Sequence, residues 1–140
     1  MGREVIALKK TELLAEQSRL LALANELARK HWGVEYTGTL TLTNRYWRRR
    51  WAMYRYLRNG EPIQDIYMSG PTNGERPEED VIGSLLHELV HWRLHTLGLP
   101  ASDIDREFIA ECLRVGAPIS GAGAAQKAYE RYLQAEKEVA

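Results

Sequence analysis

The residues with the clearest chemical potential are His87-Glu88-Leu89-Val90-His91. On a helix, two histidines four residues apart lie on one face about one turn apart, so both imidazoles can bind a single metal ion. Neutral imidazole nitrogen suits zinc. Glu88 follows the first histidine, offset by ~100° around the helix, where its carboxylate can hold a water beside the ion. Zinc lowers the pKa of such a water to near ~7. Glu88 would take its proton as general base and pass it to the leaving amine. The chemistry expected is hydrolysis of a peptide bond, with one Zn2+ per chain.

A catalytic zinc typically takes three protein ligands and keeps a fourth position for water. His95 lies on the same face but eight residues from His87, ~12 Å along the axis, too far to share an ion with both other histidines. It reads as a residue behind the ligands or on the surface. The chain turns back at Gly98 and Pro100. The third ligand is therefore expected after Gly98, and Asp103, Asp105, Glu107 and Glu111 are the acidic candidates. Asp103 and Asp105 also suit the N-terminus of the next helix. Asp105 could alternatively orient a histidine through its free ring nitrogen.

Several elements must position these groups. Leu13, Leu14, Gln17, Leu20, Leu21, Ala24, Leu27 and Ala28 form one stripe of a helix over about Thr11–Lys30, ended by Gly33. Thr37–Thr43, Trp51–Leu57 and Ile63–Met68 read as strands, with Asn59-Gly60 as a hairpin signal. Short connections favour a three-stranded antiparallel meander. Ser69–Pro77 reads as a Gly/Pro/Asn loop. Glu78, Glu79 and Asp80 then open the histidine helix, which runs to about Leu97 with Gly98 as its cap. On that helix Ile82, Leu85, Leu86, Leu89, Val90 and Leu97 cluster on one side, leaving the histidine side free for chemistry. Helices over about Ile104–Val115 and Ala124–Glu138 follow. Helix, then strands, then helices is an α+β pattern.

Composition fits a globular chain of 140 residues, 44% hydrophobic and 27% charged. Lysine plus arginine equals aspartate plus glutamate, at 19 each, so net charge points to no polyanionic partner. The lone Cys112 permits no internal disulfide and no multi-cysteine zinc ribbon, and it suits a reducing compartment. The apolar stretch within Met1–Lys10 is too short for a secretory signal, and no run of ~18 apolar residues suggests a membrane span. A cytoplasmic location without membrane association is the expectation.

The chain resembles the SprT-like family of zinc metallopeptidases over roughly residues 10 to 118. The resemblance rests on the long first helix, Asn44-Arg45, Trp51-Ala52-Met53-Tyr54-Arg55-Tyr56 and Ile66-Tyr67-Met68-Ser69. It rests most on Leu86-His87-Glu88-Leu89-Val90-His91-Trp92, then Asp105-Arg106-Glu107-Phe108 and Arg114-Val115-Gly116-Ala117-Pro118. It implies one compact zincin-like domain over residues 1–140, with a C-terminal helical extension over about 122–138, acting on protein or peptide substrates. It also implies a third histidine ligand shortly before Glu107-Phe108. Asp103 occupies that position here, and aspartate is an acceptable zinc ligand. Glu111 and Glu107 are its rivals. The cysteine-rich ribbon that many members carry after the domain is missing.

Two other functions compete. Arg45, Arg48, Arg49, Arg50, Arg55 and Arg58 interleave with Tyr46, Trp47, Trp51, Tyr54 and Tyr56, with no acidic residue among them. Guanidinium groups can neutralise DNA phosphates and aromatic faces can stack on bases. The plainer account is strand alternation, aromatics to the core and arginines to solvent. The other competing function is zinc-dependent hydrolysis of a non-protein amide.

Overall fold

The computed structural model describes residues 7–139. The N-terminal residues read for a targeting signal lie, through Ile6, outside the described residues. The chain packs as two compact units, one through Leu89 and the other from Val90 onward. Among the described residues, the α+β pattern is realised as five helices and one three-stranded sheet. No helix is long and apolar enough to cross a membrane.

In the first unit, α1 spans Lys10–Trp32. Glu12 accepts the Lys9 N–H at its start, and Gly33 ends it with a left-handed φ of 68°. Leu20, Ala24 and Ala28 are its buried residues, spaced four apart. This helix lies against β1 (Thr39–Thr43). Gln17, on the same stripe, accepts the backbone N–H of Leu42 at 2.9 Å and so satisfies a donor on the open edge of that strand.

The strands β2 (Ala52–Arg58) and β3 (Glu61–Ser69) form the expected hairpin around Asn59 and Gly60, both at positive φ. The sheet is not an antiparallel meander. Its order is β1-β3-β2, and β1 pairs with β3 in parallel. Strand directions alternate as a meander requires, but the Asn44–Trp51 connection carries the chain past β3 instead of folding back beside β1. Bonds between residues distant in sequence hold it there. Ser69 Oγ donates to the Arg45 carbonyl at 2.6 Å, and Thr72 Oγ1 both accepts the Trp47 N–H at 2.7 Å and donates to the Trp47 carbonyl at 3.1 Å. Arg48, Arg49 and Arg50 therefore sit in an irregular loop and not on the solvent face of a strand.

The parallel register sets Leu40 beside Ile66 and Leu42 beside Met68, all four buried. The opposite face carries a polar hub. Asp65 accepts from Thr39 Oγ1 at 2.7 Å, from Thr41 Oγ1 at 2.9 Å and from the guanidinium of Arg55, its cross-strand partner. Arg55 also lies 4.1 Å over the Tyr67 ring. Burial raises the Tyr54 hydroxyl to about 12, with the Asp65 charge adding to the effect.

After β3, the stretch expected to be a loop contains one helical turn, α2 (Gly70–Gly74). Ser69 Oγ caps it by accepting the Thr72 N–H at 3.1 Å. Then α3 (Glu78–Thr96) begins with Glu78, Glu79 and Asp80 in its first turn. It is continuous across the division between the units.

In the second unit, Gly98 turns the chain at φ 72°, and α4 spans Arg106–Val115. It buries Phe108, Ile109, Cys112 and Val115 and ends at Gly116. It packs against α5 (Gly123–Val139), where Arg106 meets Glu136 at 3.0 Å.

Asp65→Ala should destabilise the protein by about 3 kcal/mol, the low end for breaking a buried ion pair, because Arg55 keeps some solvent contact. Urea unfolding measures it. An unchanged midpoint would show that the hub contributes nothing net to stability.

Candidate metal centre

The α3 backbone places His87 and His91 one turn apart on one face. The face is not open along its length. Residues Ser84 to Val90 are all buried, His87 being 9% and Glu88 7% exposed. Burial then relaxes: His91 is half-buried and His95 is exposed. The expectation of a free histidine side therefore holds only towards the end of the helix.

The segment after Gly98 returns to His91. The Ala101 carbonyl lies 2.6 Å from His91 Nδ1, and Asp103 Oδ1 lies 3.1 Å from His91 Nε2. The Phe108 ring stacks on the imidazole with centroids 4.1 Å apart and planes 22° from parallel. Ligand atoms of His87, His91 and Asp103 all lie within 4.8 Å of one another. Among the described residues this is the group of histidine, cysteine, aspartate and glutamate that could hold an ion.

The other candidates are elsewhere. Glu107 is exposed, and Glu111 is engaged by Arg114 through two bonds of 2.6 and 2.8 Å. Neither belongs to the group. Asp105 does not orient a histidine. Its Oδ2 accepts the Ser102 N–H at 2.9 Å, closing the turn that carries Asp103. The group that orients His91 is the Ala101 carbonyl. A backbone oxygen leaves no mark on the residue types of a sequence, so nothing there could have pointed to it. Phe108 stood in the sequence only as part of the Asp105-Arg106-Glu107-Phe108 segment that carries the resemblance, with no role of its own.

The donor set fits a cation. A carbonyl oxygen only accepts, so Nδ1 of His91 carries the ring hydrogen and a neutral imidazole presents its Nε2 lone pair to Asp103. An ionised carboxylate also only accepts. Two acceptors at 3.1 Å require a positive charge between them. A proton provides that charge as an ordinary ion pair, and a metal ion provides it while also engaging His87. Ligands ~2.0–2.1 Å from a tetrahedral zinc stand about 3.3 Å apart, so contraction by about 1.5 Å at most from separations within 4.8 Å suffices.

No family model, curated protein or solved structure matches this chain.

The arrangement ranks the acidic candidates by experiment. Asp103→Ala should weaken zinc binding by more than the ~10–100-fold typical of residues that only support a ligand. Glu111→Ala should leave binding close to the parent, and Asp103→His should restore it. Chelator-competition titrations give the three affinities, and an Asp103→Ala protein that binds zinc like the parent would remove Asp103 from the site.

Proposed function

We propose that this protein is a zinc-dependent peptidase of the SprT-like kind. The observation that carries the reading is the convergence of His87, His91 and Asp103 beside the buried Glu88. His87 and His91 would hold the ion through ring nitrogens and Asp103 through a carboxylate oxygen. Zinc supplies Lewis acidity and an acidified water. The Glu88 carboxylate takes a proton from the attacking water and returns it to the leaving amine nitrogen. Burial around His87 and Glu88 limits competing water, which strengthens each electrostatic interaction there. The Ala101 carbonyl holds the proton of His91 at Nδ1, keeping Nε2 free to ligate.

Glu88→Gln tests the division of labour. The variant should keep about one zinc per chain and lose hydrolysis of a denatured protein by at least ~100-fold, the low end for general acid–base catalysis. His87→Ala with His91→Ala should lose the metal. A fully active Glu88→Gln protein would remove Glu88 from the mechanism, and zinc binding indifferent to both histidines would end the peptidase reading.

A second reading, compatible with the first, is binding to single-stranded DNA through the Asn44–Trp51 loop. Arg45, Arg48, Arg49 and Arg50 are all exposed there, Trp51 is 51% exposed, and the loop backbone is pinned by Ser69 and Thr72. Arg76 stacks 4.1 Å over the Trp51 ring, so the aromatic is held in place with one face covered by a cation. Affinity should fall steeply with salt. Replacing Arg48, Arg49 and Arg50 by alanine should reduce the log–log salt slope by about 2, from ~0.7 per single-strand phosphate contact. Absence of binding at low salt, or an unchanged slope in the triple variant, would reduce these arginines to solvated side chains.

A further inference from the structure

We propose that Phe108 is a positioning residue that holds the His91 imidazole in its ligating orientation. The inference rests on the metal reading above and adds to it a residue outside the ligand set.

Two contacts lie at the edges of the ring, Ala101 O at Nδ1 and Asp103 Oδ1 at Nε2. They do not fix it completely. The covalent tether lets the ring turn about its Cβ–Cγ bond, which carries Nδ1 and Nε2 out of the plane in which they meet Ala101 and Asp103. A contact on the face of the ring resists that turn directly. Phe108 supplies it, at 4.1 Å between centroids and 22° between planes. Phe108 is itself rigidly placed, 1% exposed and in the first turn of α4.

All three contacts come from one short segment. The Ser102–Asp105 turn and the start of α4 follow Ala101 directly, so edge, edge and face are gripped as a unit. A flat aromatic suits this task better than an aliphatic side chain of similar volume, which has no plane to match. The negative face of its π-system also favours an imidazole that shares positive charge with a bound cation.

Phe108→Leu and Phe108→Met test the face contact, with Phe108→Tyr as the variant that keeps an aromatic plane. Circular dichroism and unfolding midpoints establish which variants are folded. Zinc affinity, from chelator competition, should fall ~10–100-fold in the Leu and Met proteins, the range for residues that orient a ligand, and stay close to the parent in the Tyr protein. In metal-free protein, NMR should show the His91 ring protons shifted upfield by the Phe108 ring current, in the parent and the Tyr variant only. That measurement on the parent decides the stacking even if an aliphatic variant fails to fold. A folded Phe108→Leu protein with parental zinc affinity would overturn the positioning role alone. So would a Tyr variant that loses as much affinity as Leu, or a parent without the upfield shift. Parental zinc binding that ignores His87 and His91 would instead overturn the metal reading, and this inference with it.

Discussion

The bond from His91 Nδ1–H to the Ala101 carbonyl, 2.6 Å long, decides how the rest of the candidate centre can work. It commits the ring hydrogen to one nitrogen and so commits the other to face Asp103. For the bond to form, the chain must reverse soon after α3 and come back past its last turns. Gly98, at φ 72°, allows the reversal, and Pro100 prevents the helix from continuing. Asp105 then closes a turn on Ser102, presenting Asp103 beside the ring before α4 begins. Gly98, Pro100, Ser102 and Asp105 thus shape the path that delivers the Ala101 and Asp103 oxygens to the ring.

The first unit solves a different problem, how to support a small sheet with two open edges. Its apolar face is made by Leu40, Leu42, Ile66 and Met68, brought side by side by the parallel register. Its other face gathers three strands around one buried carboxylate, Asp65, which receives two threonine hydroxyls from β1 and the Arg55 guanidinium from β2. A buried charge held this way is costly if any partner is lost, and it also opposes alternative registers, since a shift of one residue would strand Asp65 on the apolar face. The edge of β1 is partly covered by the Gln17 side chain. The Asn44–Trp51 loop is held at the end of β3 by Ser69 and Thr72, which are also the cap and the third residue of α2.

What could be read from the sequence was what depends on neighbours along the chain. Helical periodicity placed α1, α3, α4 and α5 within a few residues of their ends, and it put His87 and His91 on one face. Asn59-Gly60 gave the β2–β3 hairpin. The reversal at Gly98 and Pro100 limited where a third acidic group could come from, and Asp103 is the one that meets the histidines. What failed depended on distant contacts. The order of the strands is set by side chains of β3 and α2 bonding to the backbone of a loop some 25 residues away, as Trp47 to Thr72 is. The α2 turn was hidden because Gly70, Pro71, Asn73 and Gly74 are loop formers, and only the Ser69 cap favours the helix. Of the readings open for Asp105, the structure shows the one at the start of the next helix, since a carboxylate near a histidine and one bonded to its own turn look alike in sequence.

The peptidase proposed above gives separate tasks to groups that differ in burial. Of the three gathered side chains, His87 lies deepest, while the Asp103 side chain is 43% exposed, where a carboxylate keeps much of its hydration. Placing neutral donors inside and the charged donor outside keeps the desolvation cost low, as any stable site would require. Glu88 breaks that order. It is an acidic group, 7% exposed, one residue from His87 and outside the gathered set. A hydrolytic site needs such an acid, close enough to exchange a proton with the attacking water and shielded from bulk solvent. Among the described residues the set comprises three side chains, and a catalytic zinc typically takes three protein ligands. A carboxylate in place of a third imidazole adds one negative charge, which strengthens the hold on a divalent ion and weakens the acidity it can confer on water. In the proposed peptidase, chemistry at such a centre would therefore depend more on the base beside it, the role proposed for Glu88.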